Sequence, residues 1–144
     1  MTKPLRVLAV DDCDSVRRIM KVILKIGGHD PIMADGVPAA REVLSTQQPD
    51  VILTDYTMPE LTGFDLVLGV RAEARFDHVP IFVISSEDDP EILSRMERAG
   101  ANGWFRKPVC ATSLLTTLGA VSERVPMMRT PAISSPAHPI SQAG

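Results

Sequence analysis

The stretch that decides the fold is VILTDYTMPELTGFD, residues 51 to 65. Its first four residues form a mainly apolar run, rich in β-branched side chains, of the kind found in buried strands, and that run stops at Asp55. A carboxylate at the point where a buried strand reaches solvent either caps the next turn or is a working group. For Asp55 alone the cap is the better interpretation. The rest of the chain has to decide between the two.

Composition narrows the class of protein. The chain has 144 residues, 44% of them hydrophobic and only 4% aromatic, which suits one domain with an aliphatic core. A net charge of -3 gives no field that would gather nucleic acid or an anionic membrane surface. There is no signal peptide and no apolar run near the about 20 residues of a membrane span, so we expect a cytoplasmic protein. Cys13 and Cys110 are expected to be reduced thiols.

Short apolar runs alternate with longer segments of helical period. This alternation is typical of a parallel β-sheet with helical crossovers, an α/β fold. The predicted strands are 5 to 10, 31 to 34, 51 to 54, 80 to 85 and 103 to 107.

The first helix is predicted from Asp14 to Gly27. Its apolar face has the i, i+3, i+4, i+7 spacing, formed by Val16, Ile19, Met20 and Ile23. The opposite face is basic and is interpreted as solvated, with docking kept as an alternative; it carries Arg17, Arg18, Lys21 and Lys25.

The other predicted helices are 37 to 46, 62 to 73, one after Asp88 and Asp89, and 111 to 124. In the fourth helix, these two aspartates are the predicted cap, Pro90 occupies the first turn and Gly100 ends the helix. From Val125 the chain becomes proline-rich without helical period, which predicts a flexible tail or linker over 125 to 144.

Polar residues follow four of the five predicted strands. Asp11 and Asp12 follow the first, Asp55 the third, Ser85 the fourth and Lys107 the fifth. In an open parallel sheet, ligands bind outside the carboxyl ends of the strands, so we expect these side chains to share one edge.

Three carboxylates on one edge repel each other by roughly 1 to 4 kcal/mol per pair at contact distance unless cations balance them. Lys107 supplies one positive charge, and an oxygen-only ligand set suits Mg²⁺ and a phosphoryl group. A carboxylate can itself be the nucleophile that accepts such a group. The alternative is structural: a salt-bridge cluster at Lys107, with Ser85 as a cap and Asp55 in an Asx turn. That interpretation suits each residue alone better than it suits all of them together.

Four segments together resemble the receiver domain of two-component response regulators, the CheY-like family. They are VDD at 10 to 12, TDYTMPELTG at 54 to 63, ISSE at 84 to 87 and AGANGWFRKP at 99 to 108. The resemblance spans residues 5 to 124 and implies a doubly wound, flavodoxin-like sheet of five parallel strands in the order 2-1-3-4-5, with five helices. The receiver domain is then 1 to 124.

The resemblance also implies roles for individual residues. Asp55 is the expected phosphoacceptor, and Mg²⁺ is bound by Asp12, Asp55 and the carbonyl of Thr57, with Asp11 acting through water. Lys107 and Ser85 are expected to hold the phosphoryl oxygens.

The resemblance also implies which residues shape the loops and form the switch. Met58, Pro59 and Gly63 would form the loop beyond the acceptor, and the Lys107-Pro108 peptide is expected to be cis. Trp104 stands where relatives usually carry Tyr or Phe, and with Ser85 it would form the switch.

The implied function is signalling rather than enzymatic turnover of a substrate. A histidine kinase or histidine phosphotransfer protein would donate the phosphoryl group, and a downstream target protein would bind the face of the fourth helix, fifth strand and fifth helix. Neither nucleic acid nor membrane is an expected partner. The basic first helix, at Arg17 and Arg18, would dock the donor.

Two other functions share part of this pattern. Asp12 and Asp14 match the nucleophile motif of haloacid-dehalogenase-type phosphatases, but that family needs an acidic pair beyond the lysine, and Asp55 would have no role. The first strand-helix turn, DDCDS, lacks the glycines of a dinucleotide site. The receiver could also be one module of a larger multidomain regulator, with its linker beginning at Val125.

Overall fold

The computed structural model describes residues 4–58, 61–86 and 89–124 of the chain. In these ranges, strands and helices alternate from end to end, and a short 3-10 turn at Ala74–Phe76 precedes the fourth strand. The elements are β1 (Arg6–Val10), α1 (Asp14–Ile26), β2 (Asp30–Ala34), α2 (Val37–Thr46), β3 (Val51–Asp55), α3 (Gly63–Arg71), β4 (Ile81–Ser85), α4 (Pro90–Ala99), β5 (Gly103–Arg106) and α5 (Ala111–Arg124).

The strands form one parallel sheet in the order β2-β1-β3-β4-β5, which confirms the predicted fold. The register brings the strand ends together. Val10 pairs with Thr54, and Asp55 pairs with Ile84, so Asp11 and Asp55 are at the same level of the sheet. Ser85 stands one residue further along and pairs with Arg106, the residue before Lys107.

Helices cover both faces of the sheet. On one face, α1 and α5 pack on inward side chains such as Leu53 and Phe82; on the other, α2, α3 and α4 pack on side chains such as Ile52 and Val83. Strands β3 and β4 are therefore buried along their whole length, which explains their continuous apolar sequences. The core is mostly aliphatic, as the composition predicts.

Two predicted helices match their observed bounds, α2 and α5. The third begins at Gly63 because Thr62 caps it, with Asp65 completing a capping box, and it ends at Arg71 rather than at 73. In α4, Asp89 accepts a hydrogen bond from the Glu91 N–H, and Gly100 ends the helix at a φ of 117°. Asp88, the other predicted cap, lies outside the described residues, as do residues 125–144, so the tail boundary stays a prediction.

One predicted core position in α1 is wrong. Ile19 is 59% exposed, whereas Met20, Ile23 and Leu24 are buried and Val16 packs beside them. These four complete a helical stripe without Ile19, which the helix turns toward solvent. Val22 and Ile26 are exposed as well, at 57% and 74%, so α1 carries a second, outward apolar stripe, Ile19, Val22 and Ile26.

In the part of the chain with described coordinates, no helix has both the length and the apolar character needed to cross a membrane.

Candidate functional site

Three aspartates converge at the carboxyl edge of the sheet. Carboxylate oxygens of Asp11, Asp12 and Asp55 all lie within 4.8 Å of one another. Asp11 and Asp55 are buried, while Asp12 is exposed at the mouth of the site. The predicted convergence of these residues is therefore observed.

The two oxygens of Asp11 have different surroundings. Oδ1 accepts a hydrogen bond of 2.9 Å from the backbone N–H of Cys13. Oδ2 is fully buried and has no hydrogen-bond partner among the described residues, because the Nζ of Lys107 is 3.8 Å away. A buried acceptor without a hydrogen-bond donor destabilises the folded state. The oxygens near Oδ2 are those of the other two carboxylates. A set of carboxylate oxygens suits a hard divalent cation such as Mg²⁺.

Lys107 closes the site from the end of β5. Its Nζ lies 3.0 Å from Oδ1 of Asp55, and its backbone N–H donates to the carbonyl of Ser85 at 3.0 Å. The Lys107-Pro108 peptide is cis, as predicted. The lysine thus contacts the central aspartate and the neighbouring strand at the same time.

The surroundings of the Asp55 and Lys107 pair raise the pKa of both groups. Burial raises the pKa of Asp55; the hydrogen bond from Lys107 opposes this, and the charge of Asp11 adds to it. Burial alone would lower the pKa of Lys107, but the hydrogen bond and charge of Asp55 outweigh it, so the net shift is upward. Ion pairing by itself would lower the pKa of Asp55, but desolvation and the charge of the neighbouring carboxylates outweigh it, so the net shift is upward. A divalent cation would oppose both causes.

The remaining predicted site residues lie around this centre. Ser85 is buried at the end of β4, one residue beyond the level of Asp55, and Thr57 is exposed two residues after β3. Met58 is buried in the core beneath the loop. Pro59 lies outside the described residues.

Gly63 ties α3 to the end of β3. Its N–H donates to the carbonyl of Tyr56 at 2.9 Å. A Cβ at this position would collide with the backbone carbonyl oxygen of Asp55. Glycine is therefore required by close approach of two backbone segments, and α3 begins directly against the acidic site.

Trp104 is buried on β5, in the cluster that includes Met96 of α4. The indole is therefore accommodated within the core. Its coupling to Ser85 stays a prediction.

Arg17 corrects the interpretation of the basic face of α1. Its guanidinium donates to the backbone carbonyl of Asp11 at 2.7 Å and to Oδ1 of Asp14 at 3.0 Å. The predicted solvated position is wrong for Arg17, while Arg18 next to it is 78% exposed. The only sequence signal for this contact is the three-residue spacing from Asp14 to Arg17.

Comparison with known proteins agrees with this geometry. The family model for the response regulator receiver domain matches residues 7–119. The chain belongs to this receiver domain family. It is 32% identical to chemotaxis protein CheY-3 of Vibrio cholerae, over 87% of this chain and 97% of that protein. It is 34% identical to chemotaxis protein CheY of Pseudomonas aeruginosa, over 84% of this chain and 98% of that one.

A solved structure shares the fold of this receiver domain. Chemotaxis response regulator CheY4 of Vibrio cholerae superposes with a TM-score of 0.78 at 34% identity, covering 83% of this chain and 99% of its own. The resemblance based on the four sequence segments is thus confirmed.

Family membership defines the general role of the protein. It is a receiver domain of two-component signalling, and phosphorylation-based signal transduction fits it. Receiver domains generally bind Mg²⁺ at an acidic pocket, and they interact with histidine kinases and with downstream targets.

Proposed function

We propose that Asp55 accepts a phosphoryl group from a histidine kinase or a histidine phosphotransfer protein. The observation that carries the proposal is the convergence of three aspartates and Lys107 at one edge of the sheet. Asp55 is the central member, because it belongs to β3, between β1 and β4, and is the residue that Lys107 contacts at 3.0 Å.

The chemistry is a transfer between two nucleophiles. An Asp55 carboxylate oxygen attacks the phosphorus of the donor's phosphohistidine, a P–O bond forms, and the P–N bond breaks to release the donor imidazole. Lys107 then exchanges the Asp55 carboxylate for a phosphoryl oxygen, and the Ser85 hydroxyl donates to another. Both groups neutralise charge where it develops.

Asp11, Asp12, Asp55 and the Thr57 carbonyl would hold Mg²⁺, directly or through water. The ion supplies charge neutralisation to the transferring phosphoryl group when bound. Its fit rests on the donorless Oδ2 of Asp11 and on the 4.8 Å spread of the carboxylate oxygens.

The outward apolar stripe of α1 is the proposed docking surface for the donor. Ile19, Val22 and Ile26 are exposed along one side of a helix that begins directly after the acidic loop. Arg18 is exposed on the same helix and adds a positive charge, whereas Arg17 faces inward. A donor helix packed here would bring its histidine toward Asp55.

The output is phosphorylation-dependent binding of a target protein to the face of α4, β5 and α5. Ser85 at the end of β4 and Trp104 on the neighbouring strand β5 would relay the change to this face. The chain would act as a stand-alone regulator or as a receiver within a larger one.

Intact-mass measurement after incubation with acetyl phosphate and Mg²⁺ tests the acceptor. Wild type should gain one phosphoryl group, and Asp55→Asn should gain none. Asp35→Asn is a matched control, since Asp35 is exposed directly after β2, at the same edge. Equal labelling of Asp55→Asn and wild type would show that the acceptor is another residue.

The docking surface is tested by comparing two donors. Val22→Glu should slow transfer from a phosphorylated histidine phosphotransfer protein while leaving labelling by acetyl phosphate unchanged, because only the protein donor needs the helix. Equal slowing with both donors would assign the effect to the site and remove α1 as a docking surface.

A further inference from the structure

Arg17 has an inward position that the docking role of α1 does not explain. Its side chain is 21% exposed, compared with 78% for Arg18, although both arginines are within reach of Asp14. The difference lies in the second contact. Only Arg17 also reaches the backbone carbonyl of Asp11, at 2.7 Å.

Among the described residues, every hydrogen-bonding group of Asp11 except one has a partner. The N–H of Asp11 donates to the carbonyl of Ala34 on β2 at 3.1 Å, and its carbonyl accepts from Arg17. Its carboxylate Oδ1 accepts from the Cys13 N–H. What remains is Oδ2, the buried oxygen that lies among the other carboxylates.

Arg17 also closes the loop between β1 and α1. One guanidinium nitrogen bonds Asp11 before the loop, and the other bonds Asp14 at the first turn of the helix. The planar fork of arginine can bridge two acceptors in this way, whereas the single ammonium of a lysine cannot do so with the same geometry. Asp12 and Cys13, which lie between the bridged residues, are thereby held in a short closed turn.

We propose that Arg17 is a positioning residue for the carboxylates that bind the divalent cation. This inference rests on the proposed function, because it concerns the same site. Arg17 fixes the direction of the Asp11 carboxylate before the cation arrives, so binding does not have to order the loop. It touches neither the cation nor the phosphoryl group, and it is not available for donor docking.

The test compares two adjacent arginines. Arg17→Met and Arg18→Met each remove one positive charge near the site, but only Arg17→Met removes the bridge. The Mg²⁺ dissociation constant, from NMR titration of the amides of residues 11 to 14, should rise about 10-fold for Arg17→Met, as for loss of other residues that orient metal ligands. For Arg18→Met it should stay within about twofold, as expected for an exposed charge.

A second measurement needs no metal. Hydrogen exchange at the Cys13 amide, which donates to Asp11, should be faster in metal-free Arg17→Met than in wild type, and unchanged in Arg18→Met. Arg17→Lys keeps the charge and should fall between wild type and Arg17→Met in both measurements. If Arg17→Met does not fold, Arg17→Lys still tests the bridging role.

The outcomes separate the two proposals. If wild type shows no Mg²⁺ binding, the proposed metal site is wrong. If wild type binds Mg²⁺ and Arg17→Met matches Arg18→Met, the site stands and the positioning role is overturned. An Arg17→Lys variant that equals wild type in both measurements would show that charge alone acts, which also overturns the bridging role.

Discussion

A charged group is held out of bulk solvent at each edge of the sheet, fully buried at one and partly buried at the other, and the two groups differ in their hydrogen bonding. At the carboxyl edge, the Oδ2 of Asp11 is buried without a hydrogen-bond donor in the described part of the chain. At the amino edge, before β4 and β5, the guanidinium of Arg71 makes five hydrogen bonds. At the carboxyl edge an acceptor has no donor among the described residues, whereas at the amino edge every N–H of the arginine side chain is used.

The partners of Arg71 come from two separate segments, residues 76 to 79 and 100 to 102. Its acceptors are the carbonyls of Phe76, Asp77, Val79 and Gly100 and the Oδ1 of Asn102. Asn102 Oδ1 also accepts from the Ile81 N–H at 2.9 Å, so the cluster joins the end of α3, the start of β4 and the loop before β5. Burial lowers the pKa of Arg71 while the charge of Asp77 raises it, and an arginine still keeps its proton.

This contrast distinguishes a structural charge from a functional one. A buried charge whose hydrogen bonds are all made within the chain stabilises the fold. A buried charge that lacks a donor and has like charges beside it opposes folding, and it is retained where a ligand completes it. Removing the charge should therefore have opposite effects on stability at the two edges.

The largest effect is expected at the amino edge. Arg71→Met should lower the free energy of unfolding by about 2 to 4 kcal/mol, because it removes the donors of three partly buried carbonyls. Urea unfolding measures this. Arg98→Met is the control, since Arg98 is exposed on α4 and bonds only the Ser94 hydroxyl among the described residues. Equal losses in the two variants would contradict the structural role of Arg71.

At the carboxyl edge, removing a charge should instead raise the free energy of unfolding. Asp11→Asn keeps an oxygen for the Cys13 N–H but removes one of three repelling carboxylates, so metal-free protein should be more stable by about 1 kcal/mol. The same variant should lose the rise in melting temperature that Mg²⁺ gives to wild type. A destabilised Asp11→Asn that still responds to Mg²⁺ would remove the contrast between the edges.

His29 offers a test in which lowering the pH adds a positive charge to a buried side chain. The ring is buried, its Nδ1 accepts from the Leu5 N–H at 3.1 Å, and burial lowers its pKa from the ordinary 6.5. The folded state therefore favours neutral His29. Its contribution to stability is complete above pH 6.5, and it declines as pH falls below that value, because the unfolded chain then binds more protons.

Urea unfolding on both sides of pH 6.5 checks this, and His29→Asn should show a smaller pH-dependent loss than wild type, since the amide oxygen can accept from Leu5 but does not titrate. His78→Asn is the control, because His78 is exposed. If His29→Asn loses as much stability as wild type on acidification, other groups cause the pH dependence.

The smallest effect is expected from the tail. Deleting residues 126 to 144 should change the free energy of unfolding by less than about 0.5 kcal/mol and leave Asp55 phosphorylation intact, because both edges lie within residues 4 to 124. Circular dichroism and intact mass measure the two quantities. A loss of cooperative melting would show that the tail packs on the domain.

Most of the site could be predicted because its signals are local. Four of the five strands are apolar runs that lead into a polar residue, so the sequence itself orders Asp11, Asp55, Ser85 and Lys107 along one edge. The parallel topology then brings residues distant in sequence together. Helix ends were equally local, as at Thr62 and Gly100, where one side chain or one backbone conformation decides the boundary.

What failed depended on contacts between distant segments. The burial of Ile19 was wrong because the helical period alone does not say which of two adjacent apolar stripes the sheet covers. Arg71 gave no signal as a structural centre, since an arginine in the last turn of a helix is ordinary and its acceptors lie up to 31 residues away. Arg17 is a local case: its acceptors are only three and six residues away, but the helical period does not show that the loop after β1 brings the Asp11 carbonyl to this side chain.

The close approach at Gly63 has a consequence for mutational tolerance. In a saturation library selected only for folding, we expect glycine alone to persist at position 63, because any side chain there displaces the backbone that carries Asp55. Gly69, in the same helix, is different, since the nearest atoms to an added Cβ belong to the end of the Arg41 side chain, at 3.5 Å. Alanine should be accepted there and even enriched, since it favours a helix by about 1 kcal/mol over glycine. Helix α3 would thus contain one glycine that tolerates no substitution and one whose replacement by alanine stabilises the helix.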